Sequence, residues 1–110
     1  MTTSEGRVKT KIRKVLDDLK CYYVMPVTGG YGNSGVPDFM VCYAGRFIGI
    51  EAKTMGNKPT ALQSKHLRDI VICGGFGLVV DETNVDRLKS ILMSTLSPVK
   101  AAKTGDFDHG

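Results

Sequence analysis

Residues 35–53, with the sequence GVPDFMVCYAGRFIGIEAK, decide the fold. Two apolar runs, FMVCY and FIGIE, are rich in strand-forming residues and flank a short turn at Ala44-Gly45. A two-residue loop there would make the runs an antiparallel hairpin and would bring Asp38 opposite Glu51. A bulge at Gly45 would shift this register by one residue.

Three charged residues of this hairpin could form a site, namely Asp38, Glu51 and Lys53. Opposed residues of an antiparallel pair share a face, and Lys53 follows Glu51 by two residues, so strand alternation places it there too. Two such carboxylates raise each other's pKa, and oxygen ligands suit Mg²⁺. The ion would polarise a phosphoryl oxygen, while Lys53 would hold a water or stabilise charge on the phosphate. A solvated strand edge is the alternative, but the run before Glu51 is apolar on both faces, which favours a metal-dependent phosphodiesterase.

These motifs resemble those of the virus-type replication-repair nuclease (VRR-NUC) family, a branch of the PD-(D/E)xK nucleases. The resemblance lies in GVPD at residues 35–38, IEAKT at residues 50–54 and the later Gln63, and it extends over about residues 4–80. It implies a restriction-endonuclease-like core with a mixed sheet, dependence on Mg²⁺ or Mn²⁺, and cleavage of DNA, often at branches. Small members of the family are similar in size and layout to Holliday-junction resolvases.

The resemblance also implies further site residues. Metal ligands would be Asp38, Glu51, the backbone carbonyl of Ala52 and a first-helix glutamate, for which Glu5 is the early acidic candidate. Glu5 could instead cap its helix. Gln63 would lie near the scissile phosphate or a metal-bound water, although residues 60–63 (TALQ) also match a capping box. Glu5 and Gln63 can therefore each be interpreted as a site residue or as a helix cap.

Phosphate contacts can be suggested at several positions. A glycine-rich segment, residues 29–35, precedes the metal aspartate, and Gly35 lies at its end. Glycines let a backbone approach a ligand closely. Lys58 and Lys65 flank the start of the second helix, and Lys11 belongs to a basic first segment. The alternative for each lysine is an ordinary solvated side chain.

Composition limits the possibilities further. The 110 residues are 42% hydrophobic and 24% charged, as expected for one soluble domain, and the net charge of +4 is compatible with DNA binding. No stretch is long and apolar enough for a membrane span, and the first residues lack a signal-peptide pattern. Three cysteines without CxxC spacing predict reduced, mostly buried thiols in a cytoplasmic protein, and neither histidine has a partner at zinc-ligand spacing.

Hydrophobic periodicity predicts the order α-β-β-β-α-β-α, an α/β (α+β) fold with a mixed sheet flanked by helices. The crossover after the hairpin should place the fourth strand parallel to the third. The nuclease domain would span residues 1–97, followed by a polar tail at residues 98–110. The other predicted elements are a helix over 4–20 capped by Thr2, a strand over 22–27, a helix over 60–73 with Leu62, Leu67, Ile70 and Val71 inward, a strand over 76–80 and a helix over 85–96.

The leading interpretation is a Mg²⁺-dependent, structure-selective DNA endonuclease that acts as a homodimer on Holliday junctions or other branched DNA. The dimer interface would use the last helix or an edge strand. Two alternatives are a catalytically silent module that binds branched DNA, and a small restriction or nicking endonuclease. Retention of Asp38, Glu51 and Lys53 argues against the first, and the lack of a long insertion to read base edges argues against the second.

Overall fold

The computed structural model describes residues 3–27 and 35–95, and within them the predicted element order is confirmed. Most of the glycine-rich segment, the predicted tail and the boundary at residue 97 lie outside these residues. The elements are α1 (Ser4–Asp18), β1 (Tyr22–Val24), β2 (Phe39–Tyr43), β3 (Arg46–Ala52), α2 (Ala61–Ile72), β4 (Phe76–Val80) and α3 (Leu88–Thr95), the last preceded by a 3-10 turn (Val85–Arg87).

The four strands form one mixed sheet in the order β1-β2-β3-β4. The first two pairings are antiparallel and β3 pairs with β4 in parallel, as predicted. Tyr43 pairs with Arg46, so the hairpin has a two-residue loop without a bulge. Both loop residues have positive φ, 53° at Ala44 and 77° at Gly45. These are the angles of a type I′ turn, whose twist matches that of the strands.

One face of the sheet packs against α1 and α3 and forms the core. Side chains of α1 recur at helical spacing on the inward side, and alternate residues of the strands meet them. The buried core residues are Val8, Ile12, Leu16, Phe39, Val41, Ile48, Ile50, Ala52, Val80, Val85, Leu88 and Leu92.

The opposite face carries α2, which packs mainly on β3 and β4. Its Leu67 and Ile70 lie over Gly77 and Gly49, where the missing side chains bring helix and sheet close. Leu67 is the buried residue of α2, and Ile70 is partly buried. The prediction that Leu62 and Val71 point inward was therefore wrong, since both are exposed.

The beginning and end of α1 differ from prediction. Thr3 rather than Thr2 caps the helix, and its hydroxyl accepts from the Gly6 N–H at 2.9 Å. The residue three positions after this cap is glycine, so the reciprocal side-chain arm of a capping box is missing. The helix ends at Asp18 because the chain turns through a left-handed Lys20 with φ 57°.

Two further predictions need correction. The first strand ends at Val24 and not at residue 27. The thiols are not mostly buried, since Cys42 and Cys73 are exposed and only Cys21 is partly covered. Cys42 lies on the α2 side of β2, outside the area that α2 covers, and Cys73 is the last-turn cap of α2. Within the described residues, no helix is long and apolar enough to cross a membrane.

Candidate functional site

The proposed site residues converge at one end of the sheet. β3 ends at Ala52, and the chain returns along α2 before β4 runs parallel to β3, so the first turn of α2 lies at that end. Asp38 immediately precedes β2, whose start is paired with the end of β3. The topology therefore brings together the end of β3, the start of β2 and the first turn of α2.

The two carboxylate oxygens of Asp38 have different partners. Oδ2 accepts from the Ala52 N–H at 2.8 Å, and Oδ1 lies 3.6 Å from Lys9 Nζ on α1. Asp38 itself stands outside the strand, because the ladder begins at Phe39. The N–H and C=O of a strand residue point to the same side of the strand. The carbonyl of Ala52, a predicted ligand, is therefore directed toward the same side as Asp38.

Glu51 is the one buried charged residue among those the structure describes, with only 2% of its surface exposed. Its Oε2 lies 3.9 Å from Lys53 Nζ, which confirms that the two side chains share a face. Its Oε1 is buried and has no hydrogen-bond partner in the described part of the chain. Burial, the largest cause, and repulsion from Asp38 together raise the pKa of Glu51 to about 7, against the opposing effect of the Lys53 charge.

The donor set fits a hard divalent cation. A buried, unpartnered carboxylate oxygen costs free energy unless something pairs with it. Across residues 3–27 and 35–95, no group of three or more His, Cys, Asp and Glu side chains is close enough to hold a metal. Mg²⁺ keeps several waters and uses one or two protein carboxylates, so Asp38 and Glu51 with the Ala52 carbonyl would be enough to hold it.

Glu5 reaches the edge of this site from the first turn of α1. It is close enough for its charge to contribute to the raised pKa of Glu51, although it is the smallest of the causes. Its Oε2 lies 3.6 Å from Lys9 Nζ, the ammonium that also contacts Asp38. The capping role is taken by Thr3, so Glu5 does not form the predicted capping box.

Gln63 forms the predicted capping box with Thr60. Its Oε1 accepts from the Thr60 N–H at 2.9 Å, and its own N–H donates to the Thr60 hydroxyl at 3.1 Å. Gly35, with φ +83°, packs against the same turn, since an added Cβ would lie 2.9 Å from the backbone carbon of Leu62. This contact ties the segment before Asp38 to the start of α2.

The three predicted phosphate-binding lysines are all exposed. Lys11 lies on α1 one helical turn after Arg7, and both residues line one cavity. Lys58 is in the loop before α2. Lys65 lies on the outer side of α2, where its Nζ pairs with Asp69 Oδ2 at 2.8 Å. The structure brings none of the three into an ion pair with Asp38 or Glu51.

The sequence patterns did not identify two residues that lie near the site, Lys9 and Glu82. Lys9 bridges Glu5 and Asp38, and its one signal was the i, i+4 spacing from Glu5. Glu82 accepts from the Met55 N–H at 2.6 Å and holds the loop that follows Lys53. That contact joins residues 27 positions apart, so no local pattern could reveal it.

Comparison with known proteins supports the fold. A solved structure described as a VRR_NUC domain protein is similar to this chain with a TM-score of 0.66 at 18% identity, and the match covers 91% of this chain and 95% of that one. No family model and no curated protein matches the sequence. At this identity the similarity shows a shared fold, so the fold predicted from the resemblance is confirmed.

Proposed function

We propose that this chain is a DNA endonuclease that hydrolyses phosphodiester bonds with Mg²⁺, for which Mn²⁺ can substitute. The observation that carries the proposal is the buried Glu51 carboxylate, whose Oε1 has no partner in the described residues, beside Asp38 and 3.9 Å from Lys53. This arrangement works against the stability of the ion-free fold. Strongly perturbed carboxylates of this kind cluster at functional sites.

The residues divide the work between holding the ion and acting on the substrate. Asp38, Glu51 and the Ala52 carbonyl would hold the ion, which supplies Lewis-acid polarisation of a phosphoryl oxygen when bound. Lys53 carries three N–H donors and only 15% of its side chain is exposed. Its ammonium can orient the attacking water or donate to the phosphate oxygen on which charge develops.

Basic residues of α1 and the amide of Gln63 are the groups that we propose contact DNA. Arg7 and Lys11 are exposed one helical turn apart on α1, so both can contact the same stretch of backbone. The amide nitrogen of Gln63 can donate to a phosphate oxygen while its Oε1 remains in the cap. Phosphate contacts of this kind release counter-ions, so binding should weaken steeply as salt is raised.

The proposed substrate is branched DNA, with the Holliday junction as the first candidate, and the proposed assembly is a homodimer. One chain carries one site, while resolution of a four-way junction needs two nicks. A two-fold symmetric dimer would supply two sites with the symmetry of that substrate. Selectivity would then come from the shape of the junction and the separation of the sites.

The test is cleavage of labelled four-way junctions, flaps, duplexes and single strands in MgCl₂, MnCl₂, CaCl₂ and EDTA. We expect nicking of branched substrates in Mg²⁺ and Mn²⁺, and binding without cleavage in Ca²⁺, which accepts longer and looser coordination. Asp38→Asn, Glu51→Gln and Lys53→Met should each abolish cleavage. Asparagine at position 38 keeps an acceptor for the Ala52 N–H, so the fold should persist.

The exposed Asp18→Asn provides a carboxylate control on the same preparation. Cutting by Asp38→Asn above the level of a mock purification would refute the assignment of the site. Binding of branched DNA by the wild type without cleavage under any ion would favour the silent binding module instead. Cleavage confined to one duplex sequence would favour a restriction or nicking enzyme.

A further inference from the structure

Lys9 makes two ionic contacts at the edge of the carboxylate cluster. Its Nζ lies 3.6 Å from Glu5 Oε2 on its own helix and 3.6 Å from Asp38 Oδ1 at the start of β2. The first contact has the favourable order for a helix, with the acid four residues before the base. The second links α1 to the end of the sheet.

The charges around the site explain why such a contact forms. Glu5 and Asp38 each lie 3.6 Å from the Lys9 ammonium, and both carboxylates repel the charge of Glu51. Lys53 pairs with Glu51. Lys9 pairs with Glu5 and Asp38. In Asp38 it contacts Oδ1, the oxygen that does not accept the Ala52 N–H. That Oδ1 is the Asp38 oxygen left for a metal ion.

We infer that Lys9 is the built-in counter-ion of the ion-free site, where its ammonium neutralises Glu5 and Asp38 and competes with the divalent cation for Asp38. The inference rests on the proposed function, because it assumes that an ion binds between these carboxylates. Lys9 acts through Asp38 and Glu5 and is therefore a positioning residue.

Two consequences distinguish this role from an ordinary surface ion pair. Without the ion, Lys9 stabilises the fold by relieving repulsion among the acids. When the ion binds, the ammonium must give up Asp38 Oδ1, and its side chain, one third exposed, has solvent to move into. A neutral residue at position 9 should therefore lower stability in EDTA and increase affinity for the ion.

The experiment measures Mn²⁺ binding without DNA, by titration of the full chain with the free ion followed by electron paramagnetic resonance. Melting temperatures are recorded in EDTA and in saturating MnCl₂. Lys9→Gln should bind Mn²⁺ about tenfold more tightly than the wild type, since one partly screened positive charge no longer competes. It should melt lower than the wild type in EDTA and gain more from Mn²⁺.

Lys9→Arg keeps the charge and should stay near the wild-type Mn²⁺ affinity. Lys14→Gln is the matched control, because it removes the same charge from the same helix about 7.5 Å further along the axis and on another side. It should leave Mn²⁺ affinity unchanged. A structural lysine would lower the melting temperature equally with and without Mn²⁺, and this result for Lys9→Gln would overturn the inference.

The other outcomes are also decisive. Unchanged or weaker Mn²⁺ binding by Lys9→Gln, with a wild type that binds the ion and cleaves DNA, refutes the counter-ion role and leaves the proposed function standing. Unchanged Mn²⁺ affinity combined with lost DNA binding in Ca²⁺ would make Lys9 a phosphate contact. A wild type that binds no Mn²⁺ would refute both this inference and the ion dependence of the proposed function.

Discussion

At the scale of single residues, the site depends on a carboxylate that the fold alone does not favour. Glu51 is almost fully buried, and its Oε1 has no hydrogen-bond partner in the part of the chain that the structure describes. Lys53 compensates on one side only, at 3.9 Å from Oε2. This side chain therefore destabilises the ion-free protein, and a bound ion would restore that stability by pairing with the buried oxygen.

Glu51→Gln should stabilise the ion-free protein at neutral and alkaline pH. The pKa of about 7 in the folded state exceeds the ordinary value of 4.5, so the carboxyl is protonated in both states at low pH and contributes nothing to stability there. As pH rises from 4.5 to about 7, only the unfolded state loses its proton, so stability falls, and the whole loss remains above pH 7. The difference between the two pKa values corresponds to a loss of stability on the order of 3 kcal/mol.

Urea denaturation in EDTA across this pH range measures the effect. The stability difference between Glu51→Gln and the wild type should be small near pH 4.5 and should grow toward pH 8. Asp18→Asn, an exposed carboxylate replacement, is the control. A difference that does not depend on pH would mean that burial of the charge is not what destabilises Glu51. Saturating Mg²⁺ should stabilise the wild type more than the variant.

Gln63 can be tested separately for its cap and for its amide. Gln63→Glu keeps an oxygen to accept the Thr60 N–H but removes the amide donor and adds a negative charge where we propose that a phosphate binds. We expect an unchanged melting temperature and strongly reduced cleavage. Thr60→Ala removes the other half of the capping box and should cost about 1 kcal/mol of stability while cleavage is retained. Full activity of Gln63→Glu would show that Gln63 acts only as a helix cap and has no role in cleavage.

Local patterns predicted part of this site and not the rest. Glu51 and Lys53 could be placed on one face because strand alternation is a property of adjacent residues, and the Asp38 end of the hairpin followed from its loop length. Lys9 could not be placed, because its contact with Asp38 depends on where α1 crosses the end of the sheet. Such placement is decided by tertiary packing and leaves little trace in neighbouring sequence.

At the scale of elements, the β2–β3 hairpin sets the register that places Asp38 near Glu51. Its two-residue loop needs positive φ at both positions, which glycine adopts easily and alanine does not. Ala44→Asn should therefore stabilise the protein by about 0.5–1 kcal/mol, because asparagine is favoured at this position of a type I′ turn. Ala44→Val, with a branched Cβ, should be destabilising.

Urea denaturation of both variants measures this change, and cleavage should stay at the wild-type level for Ala44→Asn. Loss of stability in Ala44→Asn would indicate a different turn and would put the register in doubt. The sequence predicted this hairpin correctly because turn residues act locally. It misjudged the inward side of α2, since helical periodicity alone cannot show that the helix covers only β3 and β4.

At the scale of the whole molecule, one part of the sheet surface lacks a covering helix within the described residues. Tyr22 and Val24 of the edge strand β1 are 73% and 47% exposed, and Phe47 of β3 is 45% exposed. The pairing of the strands places all three on the α2 side of the sheet. Exposed apolar side chains in one area favour a protein partner over DNA phosphates. We therefore expect the edge strand, rather than the last helix, to form the predicted dimer interface.

Tyr22→Lys should therefore convert a dimer into a monomer. Two copies related by a two-fold axis at β1 would bury the same apolar residues on both sides, and a lysine on each would place like charges in that contact. Static light scattering with size-exclusion chromatography measures the mass of the wild type and variant. Met93→Lys, at an exposed apolar position on α3, tests the alternative interface at the last helix.

The DNA readout connects the assembly to the substrate. A dimeric wild type should nick both strands of a mobile four-way junction in pairs, whereas Tyr22→Lys should give single, uncoupled nicks at an unchanged Mn²⁺ affinity, because Tyr22 lies outside the carboxylate cluster. Dissociation by Met93→Lys and not by Tyr22→Lys would move the interface to α3. A wild type that is monomeric at all concentrations and cuts only flaps would refute the paired mechanism. The proposed nuclease chemistry of Asp38, Glu51 and Lys53 would still stand, since each chain carries all three residues.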